Sequence, residues 1–380
     1  MTWPRDDAKL DRVRALMEEH ELDALVVRAP DNVLYLTNFW GMKGFDAAVF
    51  PREGKPVLIT IEPSAQDAAA TAWTDDVRLV PGYDATDPRP PALRALEVAR
   101  GVAAQYGSVG AELSLGTQAT DRMVGEPTTY TKAWFDSFAA DATPLLNEAR
   151  AIKTDQELER MRLANEIAAA AMEHVARELK PGMKESEAAA LWQGFVHGEG
   201  TGWKGKVELA FGFSLVWSGP GIRTFTATGH RPVQEHEPTL FEIWVCADGY
   251  WCDHTKNVCP GTLDARYDEL LDALLGVYQQ ALDHCRPGAS LAELDRIIRR
   301  GITAAGLAEP THPVAHGVGA RAHEPPYAHQ AGAGTIEEDM VLAIEPGAYW
   351  DGGGGLRVED NFLITADGVE KLSSYPDDFR

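Results

Sequence analysis

The chain has 380 residues, 44% of them hydrophobic, with 58 acidic against 35 basic side chains and a net charge of −23. That length predicts two domains, and the acidity argues against any nucleic-acid partner, whose phosphates it would repel. No apolar run approaches a membrane span and the opening MTWPRDDAKL lacks signal-peptide character, so the expectation is a cytoplasmic protein with no membrane partner.

The segment KLDRVRALMEEHE places Leu10, Val13, Leu16 and Met17 on one helical face. ALVVRA reads as a buried strand, Asp31-Asn32 as a turn, and VLYLTNF, AAVFP and PVLITI as further strands. ATDPRPPA is a loop, ALRALEVARGVAAQYG a helix and SVGAEL a short strand. Helix alternating with strand predicts an α/β domain over residues 1–147, without a Gly-rich phosphate loop. A second domain, 148–380, opens on a long helix at whose start Thr154 and Glu157 have capping-box spacing. Pro181-Gly182 ends it, and ESEAAALWQGFVHGEG is a second helix. VELAFGF, SLVWSG, TLFEIWVCA and YWCDHTKNV then read as strands, and helices follow near 264–284 and 290–305. The remaining strands make this domain α+β and mostly antiparallel. The four cysteines lack CxxC spacing and read as reduced thiols. Cys246 and Cys252 flank one turn, which keeps a disulfide between them open.

The chemistry gathers in this second half. Apolar residues flank an Asp248-Gly249 turn in FEIWVCADGYWCDHTKN, a strong hairpin signal. Its two arms carry Glu242 and Asp253, which the turn brings back towards each other. PVAHGVGARAHEPPY supplies His316 and His323 on a loop, although a lone histidine is more often structural. AIEPGAYW ends a strand on Glu345, and GLRVEDNFLIT sets Glu359 in mid-strand among apolar residues. A carboxylate there is costly unless paired or metal-bound. Glu242, Asp253, His316, Glu345 and Glu359 form an oxygen-rich set suited to two divalent ions such as Mn²⁺, Co²⁺, Fe²⁺ or Zn²⁺.

The order and spacing of these motifs resemble the M24 "pita-bread" metallohydrolases, which include aminopeptidase P, prolidase, methionine aminopeptidase and creatinase. The likeness extends over nearly the whole chain, from RVRALMEEHELDALVVRAPDNVLYLTNF through RAIKTDQELERMRLA to HGVGARAHEPP, EPGAY and GLRVEDNFLIT. It implies a creatinase-like N-terminal domain followed by a pita-bread catalytic domain. It places the five metal ligands on Glu242, Asp253, His316, Glu345 and Glu359. It implies that Glu345 shuttles the proton of a metal-bridging hydroxide, His323 steadies the tetrahedral intermediate, Arg357 supports the ligand carboxylates and Tyr349 donates a hydrogen bond. The implied reaction is hydrolysis of an amide C–N bond of the Xaa-Pro type.

Two departures leave the substrate open. The first ligand position holds Glu242, followed by Ile243 and Trp244, where the family has Asp-x-Gly. Thr226 stands where the peptidases carry a substrate-side histidine beyond a Ser-Gly pair. Small-molecule branches of the family act on creatine, ectoine or dimethylsulfoniopropionate, and an aromatic box including Trp244 and Trp350 would suit an onium or guanidinium group. A metal-poor binding relative is a third reading. The likeness also implies a homodimer in which the loop 39–43, with Trp40, closes the pocket of the other subunit over a small molecule or short peptide.

Overall fold

The computed structural model describes residues 3–41, 44–113, 128–224 and 226–380. It divides into two units, Met1–Arg150 and Ala151–Arg380.

The first unit follows the order α1 (Asp7–Glu19), β1 (Ala24–Val27), α2 (Pro30–Thr37), β2 (Ala47–Pro51), β3 (Val57–Ile61), α3 (Ala65–Thr71), β4 (Val77–Val80), α4 (Pro91–Ala103), β5 (Val109–Ala111), α5 (Thr128–Ser137), β6 (Ala140–Asp141) and α6 (Thr143–Ala151). Its sheet has the order β4-β3-β2-β1-β5-β6, with β2 antiparallel to both neighbours and the other pairs parallel. β1 explains its own composition: Leu25 and Val27 enter one core with Leu10, Val13 and Met17, while Ala24 and Val26 enter another with Ala95, Leu96 and Ala99. A strand buried on both faces is a continuous apolar run.

VLYLTNF departs from its expected strand and lies in helix α2. Pro30 starts the helix, where its missing N–H costs nothing. Asn38 ends it in the left-handed conformation. Arg150 fixes the first turn through Asp31 at 2.5 Å and Asn32 at 2.7 Å. Val33 to Thr37 are all buried, so neither period stands out in the sequence.

The second unit opens on α7 (Asp155–Glu178), capped by Thr154 and Glu157 as their spacing predicts. It continues with α8 (Glu185–Phe195), β7 (Ala210–Ser218), β8 (Thr239–Ala247), β9 (Tyr250–Val258), α9 (Ala265–His284), α10 (Leu291–Ala304), β10 (Ala315–Gly317), β11 (Glu324–Tyr327), β12 (Val341–Ile344), β13 (Gly347–Tyr349), β14 (Gly355–Arg357), β15 (Asp360–Thr365) and β16 (Gly368–Lys371). The strands form antiparallel sheets ordered β7-β8-β9 and β11-β10-β12-β15-β16, with a separate β13-β14 pair. The stretch read as two strands, VELAFGF and SLVWSG, is the single strand β7. Gly212 within it is no break: a Cβ there would stand 2.6 Å from the Trp192 ring, so the glycine serves helix packing. Cys246 pairs with Trp251 and Cys252 with Val245, which turns the two thiols to opposite faces. Both are free, so the conceivable disulfide is not formed.

The two larger sheets meet where β9 crosses the start of β15. Thr255 bridges Glu359 between the backbones. Beside it the buried Asn361 side chain accepts from the Asp253 N–H at 3.0 Å and donates to the Asp253 carbonyl at 2.8 Å. Asn361→Ala strands both backbone groups of Asp253 and is expected to cost about 2–6 kcal/mol, each group contributing about 1–3. Denaturant unfolding checks this; a loss under about 1 kcal/mol would show that the clamp is not structural.

Candidate metal centre

The hairpin register sets one wall of the site. Phe213, Trp244 and Asp253 lie in one row across β7, β8 and β9, and Leu215, Glu242 and Thr255 form the adjacent row. Side chains opposite one another share a face, so Glu242 and Asp253 are diagonal neighbours rather than directly opposed. From the other sheet, His316 projects out of β10 itself, not from a loop, and Glu345 follows the last residue of β12. Glu359 occupies the step between β14 and β15 rather than mid-strand.

These residues converge. His316 Nε2 lies 3.6 Å from Asp253 Oδ2 and 3.5 Å from Glu345 Oε1, and His323 Nε2 is 3.2 Å from Asp253 Oδ2. Ligand atoms of Asp253, His316 and His323 fall within 4.8 Å of one another, as do those of His316, Glu345 and Glu359. Asp253, His316, Glu345 and Glu359 are buried, whereas His323 is 44% exposed. Asp253 Oδ2 and His316 Nε2, both buried, make no hydrogen bond among the described residues. A buried carboxylate oxygen and a buried imidazole nitrogen 3.6 Å apart, neither hydrogen-bonded, make a donor set that fits a divalent metal.

The electrostatics agree. Burial raises the Asp253 carboxyl well above its usual range, and Glu359, Glu345 and Glu242 add to the effect. Burial pushes Glu345 up to about 8, partly opposed by Arg357. Burial and the nearby Glu345 push Glu359 up to about 8. Burial drives His316 well below its ordinary value, helped by His323, and leaves a neutral ring able to ligate.

Glu242 joins neither group. Its Oε2 forms an ion pair with Arg357 Nη2 at 2.8 Å. Arg357 also donates through Nε to Thr255 Oγ1 at 2.6 Å, and that hydroxyl donates to Glu359 Oε2 at 2.6 Å. Arg357 thereby reaches two acidic residues at once, one directly and one through Thr255.

His312, Thr255, Asn361 and Phe213 are absent from the sequence-derived set. His312 is buried, with Nδ1 2.5 Å from the Pro313 carbonyl and 3.2 Å from Glu345 Oε2. Burial, reinforced by Arg357, lowers it to about 4, so the ring is neutral. Pro313 O can only accept, which puts the proton on Nδ1 and leaves Nε2 to accept from the Tyr349 hydroxyl 3.2 Å away. Arg357 Nη1 donates to that hydroxyl at 3.4 Å. A directed chain of hydrogen bonds thus runs from Arg357 through Tyr349 and His312 to the Pro313 carbonyl, and places the His312 ring against Glu345. The only signal in the sequence is the placement of His312 four residues before His316.

The remaining expected contacts lie apart from this chain. Arg266 stacks over the Trp350 ring at 3.6 Å, and Tyr267 packs beside it at 5.1 Å. Trp244 is stacked on Phe213 with centroids 5.5 Å apart. One face of Trp350 is therefore taken by Arg266 and one face of Trp244 by Phe213. Thr226 is exposed. Trp40 belongs to the first unit, and Met42 and Lys43 of its loop lie outside the described residues.

An α/β unit followed by an α+β unit that buries carboxylates against imidazoles is the architecture of a metal-dependent hydrolase. The chain belongs to metallopeptidase family M24, which it matches over residues 159–366; residues 9–163 match the creatinase/prolidase N-terminal domain. It has the creatinase-like N-terminal domain and pita-bread catalytic domain expected from its motifs. The Xaa-Pro dipeptidase of Lactobacillus delbrueckii subsp. lactis is 26% identical over 379 residues, 96% of each chain. An uncharacterised peptidase of Staphylococcus saprophyticus is 25% identical over 374 residues, 97% of this chain and 99% of its own. The prolidase from Pyrococcus horikoshii OT3 shares the fold with a TM-score of 0.80 at 21% identity, covering 98% of this chain and 100% of its own. An Xaa-Pro dipeptidase from Bacillus anthracis does so with a TM-score of 0.78 at 21% identity, covering 97% and 98%. No described helix is long and apolar enough to cross a membrane.

The raised carboxyls and depressed imidazoles give the metal-stripped protein a defined pH response. A carboxyl whose folded value exceeds its unfolded one stabilises the fold at low pH and loses that contribution as pH rises through the folded value. A depressed imidazole does the reverse, so His312 loses its contribution only as pH falls from 6.5 towards about 4. Between pH 6.5 and about 8 the change at this site therefore comes from the raised carboxyls, Glu345, Glu359 and Asp253. The stripped protein is expected to melt lower at pH 8 than at pH 6.5, and saturation with a divalent ion to narrow the difference. Thermal unfolding with chelator and with Mn²⁺ measures both, and a flat profile in chelator counts against the cluster.

Proposed function

We propose that this protein is an Xaa-Pro dipeptidase that uses two divalent metal ions. One observation carries the reading: the unsatisfied, buried pair Asp253 Oδ2 and His316 Nε2, flanked by Glu345 and Glu359, in a chain that aligns with an Xaa-Pro dipeptidase over 96% of both lengths. Asp253, His316, Glu345 and Glu359 would hold metal, with Glu242 contributing its second oxygen while Arg357 keeps the first. When bound, the metal supplies Lewis acidity and a water molecule acidic enough to act near neutral pH.

The chain's own groups supply the rest. Glu345 is the proton carrier: its carboxylate takes a proton from the water whose oxygen bonds the scissile carbonyl carbon, and delivers it to the proline nitrogen as the C–N bond breaks. His312 holds that carboxylate in register and is itself fixed by Tyr349 and Arg357. His323 is exposed enough to meet substrate and close enough to Asp253 to be held in place. Arg357 pins Glu242 and, through Thr255, Glu359. A cationic small-molecule substrate has less support, because Arg266 already covers Trp350 and Phe213 already covers one face of Trp244.

With Mn²⁺ or Co²⁺ the protein is expected to hydrolyse Xaa-Pro dipeptides in preference to creatine, ectoine or dimethylsulfoniopropionate. Failure to turn over any proline dipeptide with either metal would overturn the reading. Glu345→Gln should lower kcat by about 10²–10⁴ through loss of the proton carrier. Elemental analysis should give two ions per chain, reduced in Glu242→Ala and lost together with activity in Glu359→Ala. A Glu359→Ala protein that keeps its full metal content would remove Glu359 from the centre.

A further inference from the structure

Four large hydrophobic side chains stand exposed among the described residues: Leu79, Tyr83, Phe213 and Tyr327. Two of these four flank the metal centre. Tyr327 pairs with His316 across β11 and β10, and their rings are 6.2 Å apart. Phe213 lies on β7, an edge strand, in the row that continues through Trp244 to Asp253. An exposed aromatic on an edge strand is an aggregation liability unless it has a use.

The geometry suggests that use. Phe213 and Trp244 are nearly parallel, at 22° with centroids 5.5 Å apart, and the Trp244 ring lies 6.2 Å from that of His323. An apolar wall therefore starts at the exposed lip of the sheet and ends at the imidazole beside Asp253. Against Glu345 the lining is instead polar, formed by His312 and, behind it, Tyr349 and Arg357. The surroundings of the cluster are thus divided by polarity.

We infer that the Phe213–Trp244 stack is the specificity wall of the enzyme and selects a dipeptide whose N-terminal residue carries a large apolar or aromatic side chain. The inference rests on the Xaa-Pro reading and names its preferred Xaa. Two charged termini need polar neighbours, so the uncharged parts of the substrate are left for the aromatic side. Reach separates the N-terminal side chain from the proline ring. Two strand spacings of about 4.8 Å separate the Phe213 and Asp253 backbones. A pyrrolidine ring lies within two bonds of the scissile nitrogen, a reach of roughly 2.5 Å, whereas a phenylalanine ring extends six bonds from the scissile carbonyl carbon, roughly 6 Å. Only the longer side chain can rest against Phe213 with its peptide group at the cluster. Trp244, mostly buried, then serves as the floor on which Phe213 is held flat.

The test compares kcat/KM for Phe-Pro and Gly-Pro in the Mn²⁺-loaded wild type, Phe213→Ala and Phe213→Tyr. Phe213 sits at a solvent-exposed edge, so neither change threatens the fold. The wild-type ratio should favour Phe-Pro by about tenfold or more, in the range that apolar pocket contacts supply. It should collapse towards unity in Phe213→Ala and be restored in Phe213→Tyr. Turnover with a Phe-Pro to Gly-Pro ratio unchanged by Phe213→Ala overturns the inference and leaves the Xaa-Pro reading standing. The inference also falls if Phe213→Ala alters the preference of Phe-Pro over Phe-Ala instead, since the wall would then hold the proline ring. No turnover of any proline dipeptide overturns the underlying reading.

Discussion

Burying Asp253, Glu345 and Glu359 within reach of one another is the costly act around which the second unit is built. Each loses its hydration, and each repels the others. In the absence of a cation the protein compensates by keeping protons on the carboxyls, as the raised values of Glu345 and Glu359 record. Arg357 relieves only part of the strain, because its contacts go mainly to Glu242 and Thr255. The remaining deficit of positive charge is the affinity for metal. Rigidity serves the same end: side chains held this close would spread apart on a pliable support, and Asn361 and Thr255 prevent this by tying β9 to β15.

β9 carries charge on both faces. Asp253 and Thr255 turn towards the metal centre, while His254 and Lys256 turn the other way. On that far side Lys256 donates to Asp360 at 2.6 Å and to Asp377 at 2.7 Å, and Lys371 joins both. Burial works against ionised Asp360, yet Lys256, His254 and Lys371 hold it down to about 2. Glu359 and Asp360, adjacent in sequence, therefore titrate in opposite directions because the strand alternation sends one to an acid-rich pocket and the other to an ammonium pair. The C-terminal segment takes part through Asp377 and so braces the strand that bears Asp253.

Much of this is legible in the residues. The Asp248-Gly249 turn fixes the β8–β9 hairpin, the Thr154 capping box fixes the start of α7, and carboxylates set within apolar segments mark the cluster. What escapes the sequence shares a cause. α2 hides because it is buried all round, which erases the helical period. The unbroken β7 hides because Gly212 serves a distant tryptophan rather than a local turn. His312 and Asn361 act through partners 33 and 108 residues away, Glu345 and Asp253, and no local pattern encodes such pairs. Glu242 is recognisable as a candidate, but its commitment of one oxygen to Arg357 is a fact of packing. The aromatic residues mislead for the same reason: composition supplies Trp244 and Trp350, and only three dimensions show which faces are already taken.

The two-faced charge of β9 has an evolutionary corollary. In most hairpins a gained or lost residue at the turn is absorbed at the surface. Here a frame change of one position would carry Lys256 towards the carboxylate pocket and an acid towards the ammonium pair, reversing two charge patterns in a single event. A length change at the Asp248-Gly249 turn would therefore disturb both faces of the strand at once. Descendants of this chain can change what they recognise by altering residues along the hairpin, but not by altering its length.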